Sequence, residues 1–227
     1  GNIVRWSAAP ELPGALELGD ELAGKGIKVS MGHSDAGFED IVNAMEHGYS
    51  QITHFYSAMS TITRKRGRRV LGLIECGYLF DRLKVEIIAD GIHLPPELLK
   101  LILKCKHHDD ICLVTDSMRG AGMPDGPSLL GSKKNGVPVI IEDGIANMPD
   151  FSSFAGSVAT TDRLVRVMVQ KAGLPVWEAV KMASLNPASF LGIQETYGSI
   201  QPGKSADLLI FDDDIRISSV YVSGIIQ

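Results

Sequence analysis

Short apolar runs alternate along this chain with longer segments in which apolar residues recur every three to four positions. The runs IVRWSAAPE (3–11), IKVSMGH (27–33), SQITHF (50–55), LKVEIIAD (83–90) and ICLVTD (111–116) predict five β-strands. Between the first two, Leu16, Leu18 and Leu22 predict a helix closing at Gly24 or Gly26. Phe38, Ile41, Val42 and Met45 share one helical face, with Ser34 or Asp35 as the expected cap and Gly48 as the stop. PPELLKLILKCK (95–106) opens a helix with proline in its first turn.

After a glycine- and proline-rich stretch (119–138), VPVIIEDG and IANM predict a hairpin near 137–148. Helical segments follow over roughly 157–172 and 175–191, interrupted at Asn186-Pro187. The tail changes to short strands and turns. We therefore expect two domains, one over 1–194 with an inserted hairpin and a small β domain over 195–227.

Apolar strands separated by helices indicate an α/β fold with a parallel sheet covered on both faces. A doubly wound sheet and a TIM-type barrel both satisfy that. The polar residues favour the barrel: Glu11, His33, His54, Asp90 with His93, and Asp116 fall at or just past successive strand ends. In a barrel such positions gather on one rim. Five strands, however, are not eight.

Composition narrows the function more than the fold. Among 227 residues, 44% are hydrophobic and 22% charged, with a net charge of -5, which gives no general attraction to nucleic acid or to an anionic membrane. No apolar run reaches the length of a membrane span. Cys76, Cys105 and Cys112 are odd in number and form no C-x-x-C pair, so reduced thiols in a cytoplasmic protein are expected.

His33 and His54 lie 21 residues apart, one strand-to-strand step. Two neutral imidazoles at adjacent strand ends form part of a site for a divalent metal, Zn²⁺ first, with Fe²⁺ or another divalent ion as alternatives. Such a metal acidifies a water molecule and polarises a substrate oxygen. Asp116 suits a proton carrier between attacking water and leaving amine, or alternatively a helix cap. His93 is placed to donate a hydrogen bond to a substrate or to cap the helix at Pro95. His47 reads as structural at a helix C-terminus, and His107 and His108 as solvated. RKRGRR (64–69) reads as a solvated loop or, as part of a rim loop, a phosphate contact through one arginine. FAGS (154–157) resembles a glycine turn where backbone approaches a ligand.

Taken together, VSMGHSDA, THFYSAM, IADGIH, LVTDSMRGAGMPDG, FAGS, LNPA and GSIQPGKSADL resemble the amidohydrolase superfamily, and within it the N-acetylglucosamine-6-phosphate deacetylases. The resemblance implies a metal-dependent TIM-type (β/α)8 barrel, of which this chain covers about strands 4–8, plus the C-terminal part of a small β-sandwich domain. It implies hydrolysis of the acetamide of N-acetyl-D-glucosamine 6-phosphate to D-glucosamine 6-phosphate and acetate, in amino-sugar catabolism. His33 and His54 are then metal ligands and Asp116 the catalytic acid/base. Ser57, Ala58, His93, Phe154, Ala155 and Gly156 contact the sugar phosphate, and the phosphate-binding arginine lies within RKRGRR, where spacing from His54 leaves its identity open and Arg66 is favoured over Arg64. A homodimer is implied as well. Where the family commonly has asparagine this chain has Ser57, and the family's glutamate metal ligand is expected outside the covered part. Two other readings are another amidohydrolase acting on a cyclic amide or nucleobase, and a catalytically dead sugar-phosphate binder.

Overall fold

The computed structural model describes residues 2–227. In chain order the first elements are β1 (Arg5–Ala8), α1 (Ala15–Gly24), β2 (Lys28–Met31), α2 (Phe38–Glu46) and β3 (Tyr49–Ile52). A hairpin follows, β4 (Thr63–Lys65) and β5 (Arg68–Val70), then α3 (Leu73–Leu79), β6 (Lys84–Ile87), α4 (Pro96–Cys105) and β7 (Ile111–Leu113). The chain continues through β8 (Gly126–Leu130), β9 (Val137–Glu142), β10 (Ile145–Asn147) and β11 (Phe154–Ser157). It ends with α5 (Thr161–Val167) running into a π-helical turn (Met168–Ala172), α6 (Val176–Ala183), α7 (Leu185–Leu191), β12 (Leu208–Phe211), β13 (Ile217–Val222) and β14 (Ile225–Ile226).

Two compact units emerge. The first comprises the chain up to Ile87, Ile102–Cys112 and Ser184–Lys204; the second comprises Ile88–Leu101, Leu113–Ala183 and Ser205–Gln227.

The first unit holds the five-stranded sheet in the order β1-β2-β3-β6-β7. The pairs β1–β2, β2–β3 and β3–β6 are parallel, as stepwise β-helix-β units require. All five sequence-predicted strands are present, each shorter than its apolar run. The two faces of the sheet differ in chemistry. Val29, Met31, Ile52, Val85 and Ile87 form one fully buried face, whereas Ser30, Gln51 and Glu86 are buried on the other. Register explains this alternation: Ser7 pairs with Ser30, Ser30 with Gln51, and Gln51 with Lys84. Polar side chains from four strands thus share one layer. Arg5 Nη2 donates to Glu86 Oε2 at 2.6 Å and to Thr53 Oγ1 at 2.7 Å, and the Ser7 and Thr53 hydroxyls meet at 2.7 Å. Ser30 Oγ donates to Gln51 Oε1 at 3.1 Å.

Tight packing joins α1 to the sheet. Tyr49 donates its hydroxyl proton to the Ala15 carbonyl at 2.8 Å, and its ring covers Gly19 in the middle of α1. A Cβ on Gly19 would lie 2.4 Å from the His47 carbonyl oxygen and 2.7 Å from Tyr49 Cε2. Gly19→Ala is therefore expected to destabilise the protein by about 1–3 kcal/mol through overpacking. That outcome opposes the roughly 1 kcal/mol that alanine gains over glycine in an open helix. Chemical denaturation checks it, and a stabilised variant would show that α1 can move away from Tyr49.

Local details revise several expectations. Helix α2 begins after Gly37, whose N–H donates to the Asp40 carboxylate at 3.0 Å, so neither Ser34 nor Asp35 caps it. RKRGRR is a hairpin: Arg66 (φ 51) and Gly67 (φ 80) form its two-residue turn, a left-handed pair that matches strand twist. His108 is half-buried, its Nε2 facing the Leu103 carbonyl oxygen at 3.2 Å, while His107 accepts from the Asp109 N–H at 3.3 Å. His107 is exposed as expected, whereas His108 is not simply solvated. Asn186-Pro187 lies inside the first turn of α7, where proline is tolerated. Buried Asn186 donates to the carbonyls of His108 at 2.9 Å and Ile111 at 2.7 Å, tying α7 to the start of β7.

In the second unit, β8 to β11 form a four-stranded sheet in the order β11-β10-β9-β8. The pairing of β9 with β10 across Asp143-Gly144 makes a hairpin, and β8 and β11 extend it on either side. Val139, Ile141, Ala146 and Ala155 pack as its core. FAGS is thus the strand β11 rather than a turn, although Gly156 retains a left-handed φ of 102. β12, β13 and β14 form a separate three-stranded sheet. No helix among the described residues is long and apolar enough to cross a membrane.

Candidate functional site

Beyond the end of β2, Gly32 leads into His33, and beyond β3, Thr53 leads into His54. Both histidines adopt left-handed backbone conformations, φ 50 and φ 32, which non-glycine residues enter at a cost of about 1–3 kcal/mol each. The surrounding backbone holds them there. Thr53 N–H donates to the Met31 carbonyl at 2.8 Å and Phe55 N–H to the Glu86 carbonyl at 2.6 Å, so His54 is anchored to both neighbouring strands. Gly32 permits the close approach of β2, because a Cβ there would lie 3.1 Å from Thr53 Cβ.

The following loop is pinned as firmly. Ser57 N–H donates to the His54 carbonyl at 2.9 Å, and the Ala58 carbonyl accepts from Ser34 N–H at 3.1 Å. Tyr56 (φ 80) and Ala58 (φ 48) are left-handed as well, and the Tyr56 and Tyr78 hydroxyls meet at 2.9 Å. Glu11 holds the loop after β2, accepting from Ser34 Oγ and Asp35 N–H, each at 2.7 Å. Sequence periodicity carried no sign of that tether.

The result is convergence. His33 Nε2 and His54 Nε2 lie 3.0 Å apart, their rings edge-to-face with centroids at 4.7 Å. Two ligands of a tetrahedral metal at about 2.0–2.1 Å have nitrogens roughly 3.3 Å apart, so the pair fits two corners of such a site. The donors are imidazoles, which suit zinc and iron. Among the described residues no group of three or more His, Cys, Asp or Glu side chains gathers to complete it. The residues present therefore fit part of a metal centre. Arg66 lies in the same unit, exposed at the turn of the β4–β5 hairpin. None of the five cations of RKRGRR forms an ion pair among the described residues. Arg64 opposes Arg69 and Lys65 opposes Arg68 across the hairpin, a like-charge arrangement that an anion relieves.

The second unit assembles the other candidates. Asp116 (φ 48) is exposed three residues beyond β7, and its carboxylate makes no hydrogen bond or ion pair within the described residues. Its main chain is fixed: the Asp116 carbonyl accepts from Ser157 N–H at 3.3 Å, and Met118 N–H donates to the Ser157 carbonyl at 2.9 Å. Ser117 Oγ donates to the Ala159 carbonyl. The loop of Asp116 thereby runs alongside β11, with Gly156 facing Met118 and the Asp116 carbonyl oxygen. Ala155 is buried, while Phe154 is 49% exposed with its ring centroid 5.1 Å from that of His93.

His93 does not cap α4. Its Nδ1 lies 2.7 Å from Asp90 Oδ2, and Asp90 Oδ1 accepts from the N–H groups of Ile92 (2.9 Å) and His93 (2.8 Å). Burial alone would raise the Asp90 pKa, but the His93 ring and these backbone donors outweigh it and hold the carboxyl below its ordinary value. The buried thiols behave oppositely. Burial, reinforced by Glu86 and opposed by Arg5, pushes Cys112 up to about 12, and burial pushes Cys76 up to about 11. Both stay protonated, and all three cysteines are free.

Residues 6–226 match the Amidohydrolase family. An N-acetylgalactosamine-6-phosphate deacetylase of Escherichia coli is 33% identical over 95% of this chain and 55% of its own length. An N-acetylglucosamine-6-phosphate deacetylase of Vibrio furnissii is 35% identical, over 98% of this chain and 53% of its own length. A solved N-acetyl-D-glucosamine-6-phosphate deacetylase mutant from Mycobacterium smegmatis, in complex with N-acetyl-D-glucosamine-6-phosphate, superposes with a TM-score of 0.88 at 30% identity. That superposition covers 98% of this chain and 57% of that one. The chain thus spans about half the length of the relatives it matches.

Proposed function

This chain belongs to the amidohydrolase family, whose members are generally metal-dependent, and on that premise we propose that it forms part of an enzyme that hydrolyses the acetamide of N-acetyl-D-glucosamine 6-phosphate. The observation that carries the reading is the 3.0 Å convergence of His33 and His54 Nε2. It occurs in a chain that superposes along nearly its whole length on a deacetylase solved with that sugar phosphate.

His33 and His54 are assigned to a divalent metal, zinc first and iron second, whose chemistry when bound is to acidify water and polarise the acetyl oxygen. Asp116 is assigned the proton transfer. Its unengaged carboxylate accepts a proton from the attacking water and delivers it to the amide nitrogen as the carbon–nitrogen bond breaks. Glucosamine 6-phosphate and acetate are the products. Ser57, Ala58, His93 and Phe154–Gly156 are assigned to the sugar. Arg66, at the tip of a hairpin of uncompensated cations, is assigned to the phosphate. The family resemblance further supports a homodimer, to be tested by sedimentation, and a cytoplasmic location.

Acetate release by the full-length protein tests the proposal. N-acetylglucosamine 6-phosphate is expected to be the preferred substrate, with unphosphorylated N-acetylglucosamine at least roughly tenfold poorer in kcat/KM, since a charge-assisted phosphate contact contributes about 1.5–3 kcal/mol. Faster turnover of the galactosamine epimer would move the assignment to the substrate named for the Escherichia coli relative. Release of acetate from neither phosphate would overturn it.

A further inference from the structure

The turn after β6 contains a carboxylate–imidazole hydrogen bond whose geometry exceeds what a turn requires. Two bonds from Asp90 Oδ1 to the N–H groups of Ile92 and His93 already close the turn. The second oxygen is directed at a side chain, His93 Nδ1. Asp90 is 2% exposed and its side chain is fully buried, so its negative charge is not directed to solvent. The backbone beneath it is also held: Arg163 donates from Nη2 to the Asp90 carbonyl at 3.1 Å and from Nη1 to the Gly144 carbonyl at 2.8 Å. Gly144 leaves the space for this, because a Cβ there would lie 2.7 Å from Arg163 Nη1. On its other side the imidazole is bordered by the half-exposed Phe154 ring.

We propose that Asp90 is a positioning residue that keeps the Nδ1 proton of His93 on the buried side and leaves Nε2 as the ring's only atom for a ligand. In the neutral ring Nε2 is then an acceptor, so the group it recognises is a donor, such as a sugar hydroxyl. This reverses the direction expected from sequence, in which His93 donates. The ligand class rests on the proposed function; the tautomer does not. A carboxylate acceptor favours the Nδ1–H form more strongly than a neutral one, and Arg163 prevents the turn from relaxing away.

Nitrogen-15 NMR of the whole chain tests the idea without any substrate or metal. Long-range proton–nitrogen correlations of the His93 ring, assigned by their loss in His93→Gln, are recorded at alkaline pH. The expected spectrum has Nδ1 protonated and Nε2 bare. In Asp90→Asn, whose amide oxygen can still accept both turn N–H groups, the amide NH2 takes the place of the second carboxylate oxygen and presents a donor to Nδ1, so the preference for Nδ1–H is expected to fall at least roughly tenfold, toward the Nε2–H form. An Nε2–H tautomer in the unsubstituted chain overturns the proposal even if the variant fails to fold. So does an equal preference for Nδ1–H in the two proteins. Titration of the full-length protein with N-acetylglucosamine 6-phosphate separates the two claims. A roughly tenfold weaker Kd in Asp90→Asn supports both, whereas a shifted tautomer with unchanged Kd removes His93 from the sugar site and leaves the positioning role intact.

Discussion

Asp116→Asn in the full-length protein is expected to lower the rate of acetate release about 10²–10⁴-fold, the usual contribution of a positioned acid/base, with little change in sugar-phosphate binding. The substitution isolates chemistry from folding. What holds residue 116 in place is its main chain, whose carbonyl accepts from Ser157 N–H, and the side chain contributes no hydrogen bond to the structure. Asparagine also tolerates the left-handed φ of 48 better than most residues. The capacity to carry a proton is lost, together with the carboxylate charge. Steady-state kinetics decide: near-normal kcat would leave Asp116 no part in the reaction, and a rise in KM alone would make it a binding residue.

The second large effect concerns stability. Arg5→Met is expected to destabilise the protein by about 3 kcal/mol, toward the lower end for breaking a buried ion pair because the Arg5 side chain is 28% exposed. The variant deprives the Glu86 carboxylate, in a residue 6% exposed, of a guanidinium at 2.6 Å, and removes a donor to Thr53. At this chain length the loss corresponds to roughly 6–12 °C in Tm. Arg5→Met combined with Glu86→Met is expected to recover most of it, because the buried carboxylate that lost its guanidinium is then gone as well. Equal stability of the single and double variants would mean that removing the carboxylate has no benefit, and the pair would not explain the polar face. Thr53 adjoins His54, so the same network fixes the backbone from which the His54 imidazole projects.

Much of this was legible in the chain. The five strands and the helices after them follow from runs such as IKVSM and from the 3.6-residue spacing of Phe38, Ile41, Val42 and Met45, because apolar burial acts through local periodicity. Arg66-Gly67 illustrates the opposite. Its neighbours are all cations, and charge suggested a loop, whereas the left-handed preference of a two-residue turn produced a hairpin. Helix α3 has only seven residues, too few for periodicity to distinguish it.

By itself the sequence determined the α/β class, the strand-end placement of His33, His54, Asp90 and Asp116, and the family, since each depends on residue type and spacing along the chain. Only the tertiary structure decided that the two Nε2 atoms meet at 3.0 Å, that the sheet has a charged face, and that His93 turns its Nδ1 to Asp90. The physical reason is that these depend on strand register and ring rotation. A one-residue slip, or one turn of a side chain about χ1, would have separated the same residues without altering the pattern that announced them.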